Sequence, residues 1–452
     1  MTKTQRLRDP VHGLIVFDGQ NETDQAAWRL LNTAEFQRLR RVRQLGFSDL
    51  VYPGATHSRF AHSIGVYHMA RRLARIIRRK IDSPDEERER VALLAALLHD
   101  VGHGPFSHTF EAATRAIGKG RRHEEWSAEI IRGDTEINAV LREVDTTLPE
   151  DVAKLLLEDE TKDIYATIVS SQFDADRLDY LQRDRYMTGV EFGHVDRDWL
   201  LDCIEVGTVT MGPSDDPVEA PCLYLSPKGF HVAEEYLEAR YRLYQFVYMH
   251  KTTRSAEIML GKLFRCIADL VTNSSAASTQ NWLRGRITSH FAAEKPTMES
   301  YLRLDDSVVW AELSELATAD DPEISSLAQR LRDRNLYKCF DLGSRLTSGR
   351  DDNRRLRFVR QLKASSDTPD GLFERSSVDS ANVAIYKWYD FEDSSALNKV
   401  LVKLNTTDVE PIDIGSRSSV LKALRDEQQM HRFYVPSSDD IELLEKIWRE
   451  VQ

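Results

Sequence analysis

This sequence predicts a mainly α protein, a helical core followed by a smaller C-terminal α+β region, and three observations carry that expectation. Apolar residues recur at steps of three and four through most of the first 272 positions, the period of one face of a helix. No strand pattern of any strength occurs between residues 50 and 200. Runs rich in β-branched and aromatic residues gather late, at Asn382–Tyr389 and Val400–Leu404, as strands would.

Leu14–Phe17 reads as a short extended opening. Leu30, Leu31, Phe36, Leu39, Val42 and Leu45 predict one helix ended by Gly46, and His62, Val66, Met69, Leu73 and Ile76 predict a second with His62 on its inward face. Pro84–Asp100 predicts a third, stopped by Val101-Gly-His-Gly-Pro105, where Gly and Pro cannot continue a helix interior. Further helices are expected at Ser107–Ile117, Glu124–Arg132, Glu150–Leu157, Ile164–Arg185 and, as one long periodic element, Gly229–Val271. We therefore expect a core over residues 1–272, a helical extension over 273–334, and the α+β region over 335–452. Asn273–Ser278 and Ser365–Asp370 have the polar, small-residue composition of linkers.

Composition narrows the function classes. The 452 residues are 41% hydrophobic and 30% charged, which excludes a disordered or collagen-like chain. The longest apolar run, Val91–Leu98, has eight residues, against the roughly 20 that a membrane-spanning helix needs. The N-terminal residues lack the apolar stretch of a signal peptide. The expectation is a cytoplasmic protein with no membrane partner. Cys203, Cys222, Cys266 and Cys339 are widely spaced, which suits a reducing compartment and argues against a thiolate zinc site. Net charge is −12, yet residues 1–80 hold 15 Lys and Arg against six Asp and Glu. A basic region on an acidic protein can attract a compact polyanion such as a nucleotide phosphate chain.

Seven of the thirteen histidines lie between residues 57 and 123. His99-Asp100 ends an apolar helix, His62 faces inward on the preceding one, and Asp174-Ala-Asp176 lies downstream. Two imidazoles with two carboxylates suit a hard or borderline divalent ion, manganese, iron(II), nickel or magnesium, better than a closed zinc site. Magnesium could also arrive with a nucleotide.

The stretches Asp9-Pro-Val-His-Gly13, Phe36–Gly46, Pro53–Ser63, Leu98–His108 and Phe173–Asp184 occur in an order that resembles the HD-domain metal-dependent phosphohydrolases. The likeness is narrower to the deoxynucleoside triphosphate triphosphohydrolase branch, which includes bacterial members and the human sterile-alpha-motif HD enzyme. It covers about residues 6–260. The resemblance implies that His62, His99, Asp100 and Asp176 ligate the metal, and it sets His108, Glu111, His123 and His103 beside that metal as the catalytic group. The family has Asp where this chain has Glu111. For substrate it implies Arg59, Arg177 and Arg240 on phosphate, Tyr180 on the nucleotide, Tyr248 on the sugar, Leu45 with Tyr248 against the 2′ position, and Gln44 with Asp184 on the 3′-hydroxyl. Helical spacing sets Arg177, Tyr180 and Asp184 on one stripe and Arg240, Tyr244, Tyr248 and Lys251 on another.

The basic run Arg38–Arg43 has the composition of a solvated helix face. In the family this region borders a second nucleotide site between subunits, which implies an effector site at Asn32, Gln37 and Arg40 and a homodimer or homotetramer. The implied activity is metal-dependent hydrolysis of a deoxynucleoside triphosphate to deoxynucleoside and triphosphate. The alternatives are another HD-type nucleotide phosphohydrolase, such as a phosphomonoesterase, and a nucleotide-sensing oligomer that could also bind nucleic acid through its basic N-terminal region.

Overall fold

The computed structural model describes residues 3–157, 163–211, 218–273, 285–346, 352–364, 371–383, 385, 399–424 and 428–451. The chain is mainly α, as expected. An antiparallel hairpin, β1 (Gln5–Asp9) with β2 (Gly13–Phe17), precedes the helices α1 (Glu22–Leu31), α2 (Ala34–Arg38), α3 (Arg59–Lys80) and α4 (Glu86–Leu98). Asp85 starts α4 by accepting from the backbone N–H groups of Glu87 and Arg88, satisfying donors that a helix start leaves free. Val91–Leu98 are all buried, so the end of α4 carries His99 and Asp100 into the core.

Helices α5 (His108–Ala116), α6 (His123–Arg132), α7 (Glu136–Val144), α8 (Leu148–Leu157), α9 (Ala175–Thr188) and α10 (Arg197–Asp202) follow. α3 packs between α4 and α9, and that three-helix contact positions the site. Gly65 makes the α3–α9 approach feasible: a Cβ there would stand 1.9 Å from Asp179 Oδ1 and 2.4 Å from Arg183 Nη2.

Several expectations change. Leu30–Leu45 is not one helix, because Asn32 Nδ2 donates to the Trp28 carbonyl and Thr33 Oγ1 to that of Leu30, ending α1. Such side chains compete with the backbone ladder. The apolar periodicity survives because α2 returns Phe36 to the same core. Ile164–Arg185 is likewise broken: Tyr165–Ile168 is a 3-10 turn, and Asp174 caps α9 by accepting from Arg177 N at 2.8 Å. The long Gly229–Val271 element is α11 (Phe230–Leu243), a π turn at Tyr244–Tyr248, and α12 (Lys251–Asn273) after a break at Met249-His250. Helix α7 and the hairpin of β3 (Ile204–Met211) with β4 (Val218–Leu225) were not expected from the sequence.

Helices α13 (Arg286–Ala292), α14 (Met298–Leu302), α15 (Asp306–Leu316) and α16 (Pro322–Arg332) cover the outer side of α12 with a second apolar core. The C-terminal region joins two sheets. β5 (Lys338–Asp341), β6 (Ser377–Val383) and β9 (Gln428–Val435) form one in the order β5-β9-β6, and β7 (Leu401–Val402) with β8 (Ile412–Asp413) extends the β3–β4 hairpin. Residues 399–424 thus pack on the main core rather than with their sequence neighbours. The strand expected at Asn382–Tyr389 ends at Val383, and its other residues except Ile385 lie outside the described residues, as do Ser274–Ser278 and Ser365–Asp370 of the two expected linkers. Asn273 is the last residue of α12.

Candidate active site

His62 from α3, His99 and Asp100 from the end of α4, and Asp176 from the first turn of α9 converge. His62 Nε2 lies 3.0 Å from Asp176 Oδ1 and 3.8 Å from Asp100 Oδ2; His99 Nε2 lies 3.2 Å from Asp100 Oδ1 and 3.8 Å from Asp176 Oδ1. Both Nε2 atoms are buried and, among the described residues, neither makes a hydrogen bond, an arrangement that suits a site for a cation. The opposite ring nitrogens are engaged: His99 Nδ1 donates to the Ala96 carbonyl at 2.9 Å and His62 Nδ1 to Asp179 Oδ2 at 2.7 Å. A ligand histidine fixed through its other nitrogen is the usual outer shell of a metal site. Burial opposes charge on His62, but without an ion Asp176 and Asp179 raise it to about 10, so a divalent ion at Nε2 would take the place of a proton there. This donor set fits a divalent ion.

Asp179, fully buried, organises that outer shell. It also accepts from His12 Nε2 at 2.5 Å and from Arg183 Nε and Nη2 at 2.8 and 2.9 Å, while Arg183 Nη1 reaches Asp9 Oδ2 at 2.8 Å. Arg197 Nη1 donates to His12 Nδ1 at 3.0 Å, fixing the His12 tautomer. Sequence reasoning missed the roles of Asp9, His12, Asp179 and Arg183, although Asp9-Pro-Val-His-Gly13 and Phe173–Asp184 contained them.

Beside the four donors stands a histidine cluster. His103 stacks on His123 with ring centres 3.8 Å apart, and His108 meets both edge-on at 5.3 and 5.7 Å. His103 Nε2 lies 3.2 Å from Asp100 Oδ1. Burial, with Arg59 adding to it, pushes His103 well below the usual histidine range. Glu111 sits between the other two, 3.2 Å from His123 Nδ1 and 3.7 Å from His108 Nδ1. Burial opposes its charge, but the two imidazoles hold its carboxyl well below the carboxylate range. Glu111 is therefore closer to His123 than to His108, the partner expected from the i+3 spacing.

The loop entering this cluster is strained and clamped. Phe106 and Ser107 both have φ of 51°, a left-handed conformation costly for residues with a Cβ. Phe106 N donates to Asp306 Oδ1 at 2.8 Å, and Ser107 Oγ accepts from Arg59 Nε at 2.8 Å. Arg38 is not part of a solvated face: its buried guanidinium donates to the carbonyls of Val101, His103 and Leu304 at 2.7–2.9 Å. Gly102 is required there, since a Cβ would stand 2.2 Å from the His123 carbonyl.

A cleft of about 1000 Å³ opens over both groups. Gln44, Leu45, Arg59, Tyr180, Asp184 and Tyr248 line it with His99, Asp100, His103, His108, His123 and Asp176. Arg59 Nη1 donates to Asp100 Oδ2 at 2.6 Å. Tyr248 Oη donates to Asp184 Oδ2 at 2.7 Å, and buried His57 donates from Nε2 to Oδ1 at 2.8 Å. His57 thus holds a cleft residue, a role its sequence position did not signal. Arg177 and Arg240 do not line this cleft. Arg177 pairs with Asp174 and the Ser171 carbonyl, and Arg240 Nη1 donates to Gln172 Oε1 at 2.8 Å. The π turn between Arg240 and Tyr248 replaces the continuous face that helical spacing predicts. At the surface, Gln37 Nε2 donates to the Leu31 carbonyl, and Arg40 donates to Gln37 and lies 3.6 Å over the Phe60 ring, near the α1 terminus where Asn32 sits.

Comparison with known proteins agrees with this geometry. The sequence profile of the HD domain matches residues 59–184. Uncharacterized protein YwfO of Bacillus subtilis is 37% identical over 342 residues, 75% of this chain and 72% of that protein. The deoxynucleoside triphosphate triphosphohydrolase SAMHD1 homolog of Dictyostelium discoideum is 30% identical over 344 residues, 72% of this chain and 59% of that one. A crystal structure described as a phosphohydrolase from Bacteroides thetaiotaomicron shares the fold, with a TM-score of 0.72 at 24% identity over 96% of this chain and 100% of that chain. With His-Asp donors brought together on α3, α4 and α9 and relatives of this extent, the chain belongs to the HD-domain phosphohydrolase family, among whose members are the deoxynucleoside triphosphate triphosphohydrolases.

Proposed function

We propose that the chain hydrolyses deoxynucleoside triphosphates to the deoxynucleoside and inorganic triphosphate. The observation that carries this reading is the single cleft in which the His-Asp donors and the histidine cluster face Gln44, Leu45, Asp184 and Tyr248, a set suited to a nucleoside. A simple phosphomonoesterase has no use for the latter four.

A divalent ion held by His62, His99, Asp100 and Asp176 supplies Lewis-acid polarisation of a phosphoryl oxygen and a more acidic bound water. The chain's own residues do the rest. Arg59, held by Asp100 and Ser107, presents its guanidinium to phosphate charge. Hydrolysis at the α-phosphorus expels the 5′-oxygen, which needs a proton. His108, the exposed member of the cluster, donates it, while anionic Glu111 lies between His108 and His123 and orients them. Asp184, already accepting from Tyr248 and His57, accepts from the 3′-hydroxyl. The Tyr248 ring and Leu45 close the space beside the 2′ carbon, so a 2′-hydroxyl finds neither room nor partner. Arg177 and Arg240, beside half-buried Tyr180, add positive potential behind the cleft.

The same reading includes activation by a second nucleotide in a homodimer or homotetramer. Its support is the exposed Arg40 guanidinium on Phe60, adjoining Gln37 and Asn32.

The test is product analysis with each deoxynucleotide and manganese or magnesium. Release of deoxynucleoside and tripolyphosphate in equal amounts is expected. Release of monophosphate or diphosphate would replace this reading with another phosphohydrolase activity. Tyr248→Ala should narrow the ratio of kcat/KM between deoxyribo- and ribonucleotides of one base, and an unchanged ratio would assign sugar selection elsewhere.

A further inference from the structure

The C-terminal sheet reaches the cleft. Ser377, Val378 and Asp379 of β6 line it together with Thr253, Arg254 and Glu257 of α12. The two elements are joined at Arg254, whose Nε and Nη2 donate to the two oxygens of Asp379 at 3.0 and 2.9 Å while Nη1 donates to Glu257 Oε2 at 2.7 Å. One oxygen of Glu257 is thereby pinned. The other, Oε1, has no hydrogen bond among the described residues, and it lies 4.0 Å from the point a Cβ would occupy on Gly46. Thr253 Oγ1, in a side chain 1% exposed, also lacks a partner among the described residues. Val378, 52% exposed, adds an apolar surface to the same wall.

Placement follows from the sugar. Leu45 immediately precedes Gly46, and Tyr248 leads into α12 across a two-residue break. Gly46, Thr253 and Glu257 line the same cleft as Leu45 and Tyr248, so the free oxygen of Glu257 stands on the wall next to a sugar lying between Leu45 and Tyr248, within reach of its base. Resting on the triphosphohydrolase reading above, we propose that Glu257 reads the base, accepting a hydrogen bond from an exocyclic amino group, with Val378 packing on the base and Arg254 and Asp379 positioning the carboxylate. Burial pushes the Glu257 carboxyl up and the Arg254 guanidinium bonded to it opposes that shift; held ionised by this pairing, the carboxylate offers acceptors only. Cytosine, adenine and guanine carry an amino donor, whereas thymine and uracil present a carbonyl where cytosine has its amine, which places two acceptors face to face. The site then prefers amino-bearing bases, and the C-terminal region gains a part in specificity.

Internal competition between dCTP and dUTP in one vessel, with manganese, tests this directly. The two bases differ at the amine-for-carbonyl position, and any activating nucleotide acts on both reactions alike. Wild type should favour dCTP in kcat/KM by roughly tenfold, the size of one charge-assisted hydrogen bond. Glu257→Gln should bring the ratio to about one or below, because an amide can donate to the uracil carbonyl. Glu257→Asp, shorter by one methylene and still charged, should also lower it, and serves if the Gln variant does not fold. Asp379→Asn, acting through Arg254, should reduce the ratio with bound metal unchanged. A wild-type ratio near one, or an unchanged ratio in Glu257→Gln, would overturn the proposal. Turnover of neither nucleotide, with each of the other deoxynucleoside triphosphates added in turn as activator, would overturn the triphosphohydrolase reading itself, so the two failures are distinguishable.

Discussion

His62 and Asp179 share a 2.7 Å hydrogen bond from Nδ1 to Oδ2, and His12 donates to the other oxygen of the same carboxylate at 2.5 Å. The proton on His62 is thereby kept at Nδ1, and its Nε2 lone pair is left for a cation. Asp179→Asn keeps the shape but weakens that constraint, so it should lower affinity for manganese by about 10- to 100-fold, read by metal titration of the purified protein. Unchanged affinity would confine Asp179 to holding Arg183.

Gly65→Ala tests the same contact sterically. The new Cβ would meet Asp179 Oδ1 at 1.9 Å, and neither buried α3 nor the paired Arg183 offers an easy retreat. A loss of about 1–3 kcal/mol is expected from such overpacking, together with weaker metal binding. A denaturant titration gives the first and metal titration the second.

Arg38→Met should be costly although it lies outside the cleft. It removes the donors from three buried carbonyls, two of them on the loop that carries His103. Each orphaned group costs about 1–3 kcal/mol. We expect a lower melting temperature and turnover reduced more than metal content, since the histidine cluster loosens while the four donors remain.

His290 gives a pH signature independent of the metal. Burial, with the Lys119 cation beside it, pushes this histidine down to about 4 from its ordinary 6.5. The unfolded chain takes up that proton near pH 6.5 and the folded chain only near 4. The stability His290 contributes is therefore complete above pH 6.5 and is lost as pH falls through that window, by at most about 1.4 kcal/mol per pH unit. His290→Phe, among Phe110, Phe291 and Tyr301, should flatten the fall in melting temperature between pH 6.5 and 4 relative to wild type. Parallel curves would refute the assignment.

Much of this was legible in the sequence because the donors follow helical periodicity. His62 shares the buried stripe of α3, and His99-Asp100 sits where a wholly apolar run meets Gly and Pro. What was hidden arises from contacts between distant segments. Nothing local distinguishes Arg38 from Arg40 and Arg41, yet Arg38 is buried because the loop after α4 and Leu304, two residues before α15, turn three carbonyls toward it. The breaks at Asn32, Ser171 and Met249 were invisible to periodicity because the apolar positions resume in phase on the same core. Asp379, about 125 residues from Arg254, reaches the cleft only through the β5-β9-β6 sheet, whose pairing no local pattern reveals.

The central claim is that water attacks the α-phosphorus in this cleft, between the His-Asp donors and the nucleoside wall. Hydrolysis of a deoxynucleoside triphosphate in ¹⁸O-labelled water, with mass analysis of both products, tests it most directly. The account predicts one labelled oxygen in the released tripolyphosphate and none in the deoxynucleoside. Label in the deoxynucleoside, or label in a monophosphate or diphosphate product in place of tripolyphosphate, would contradict it.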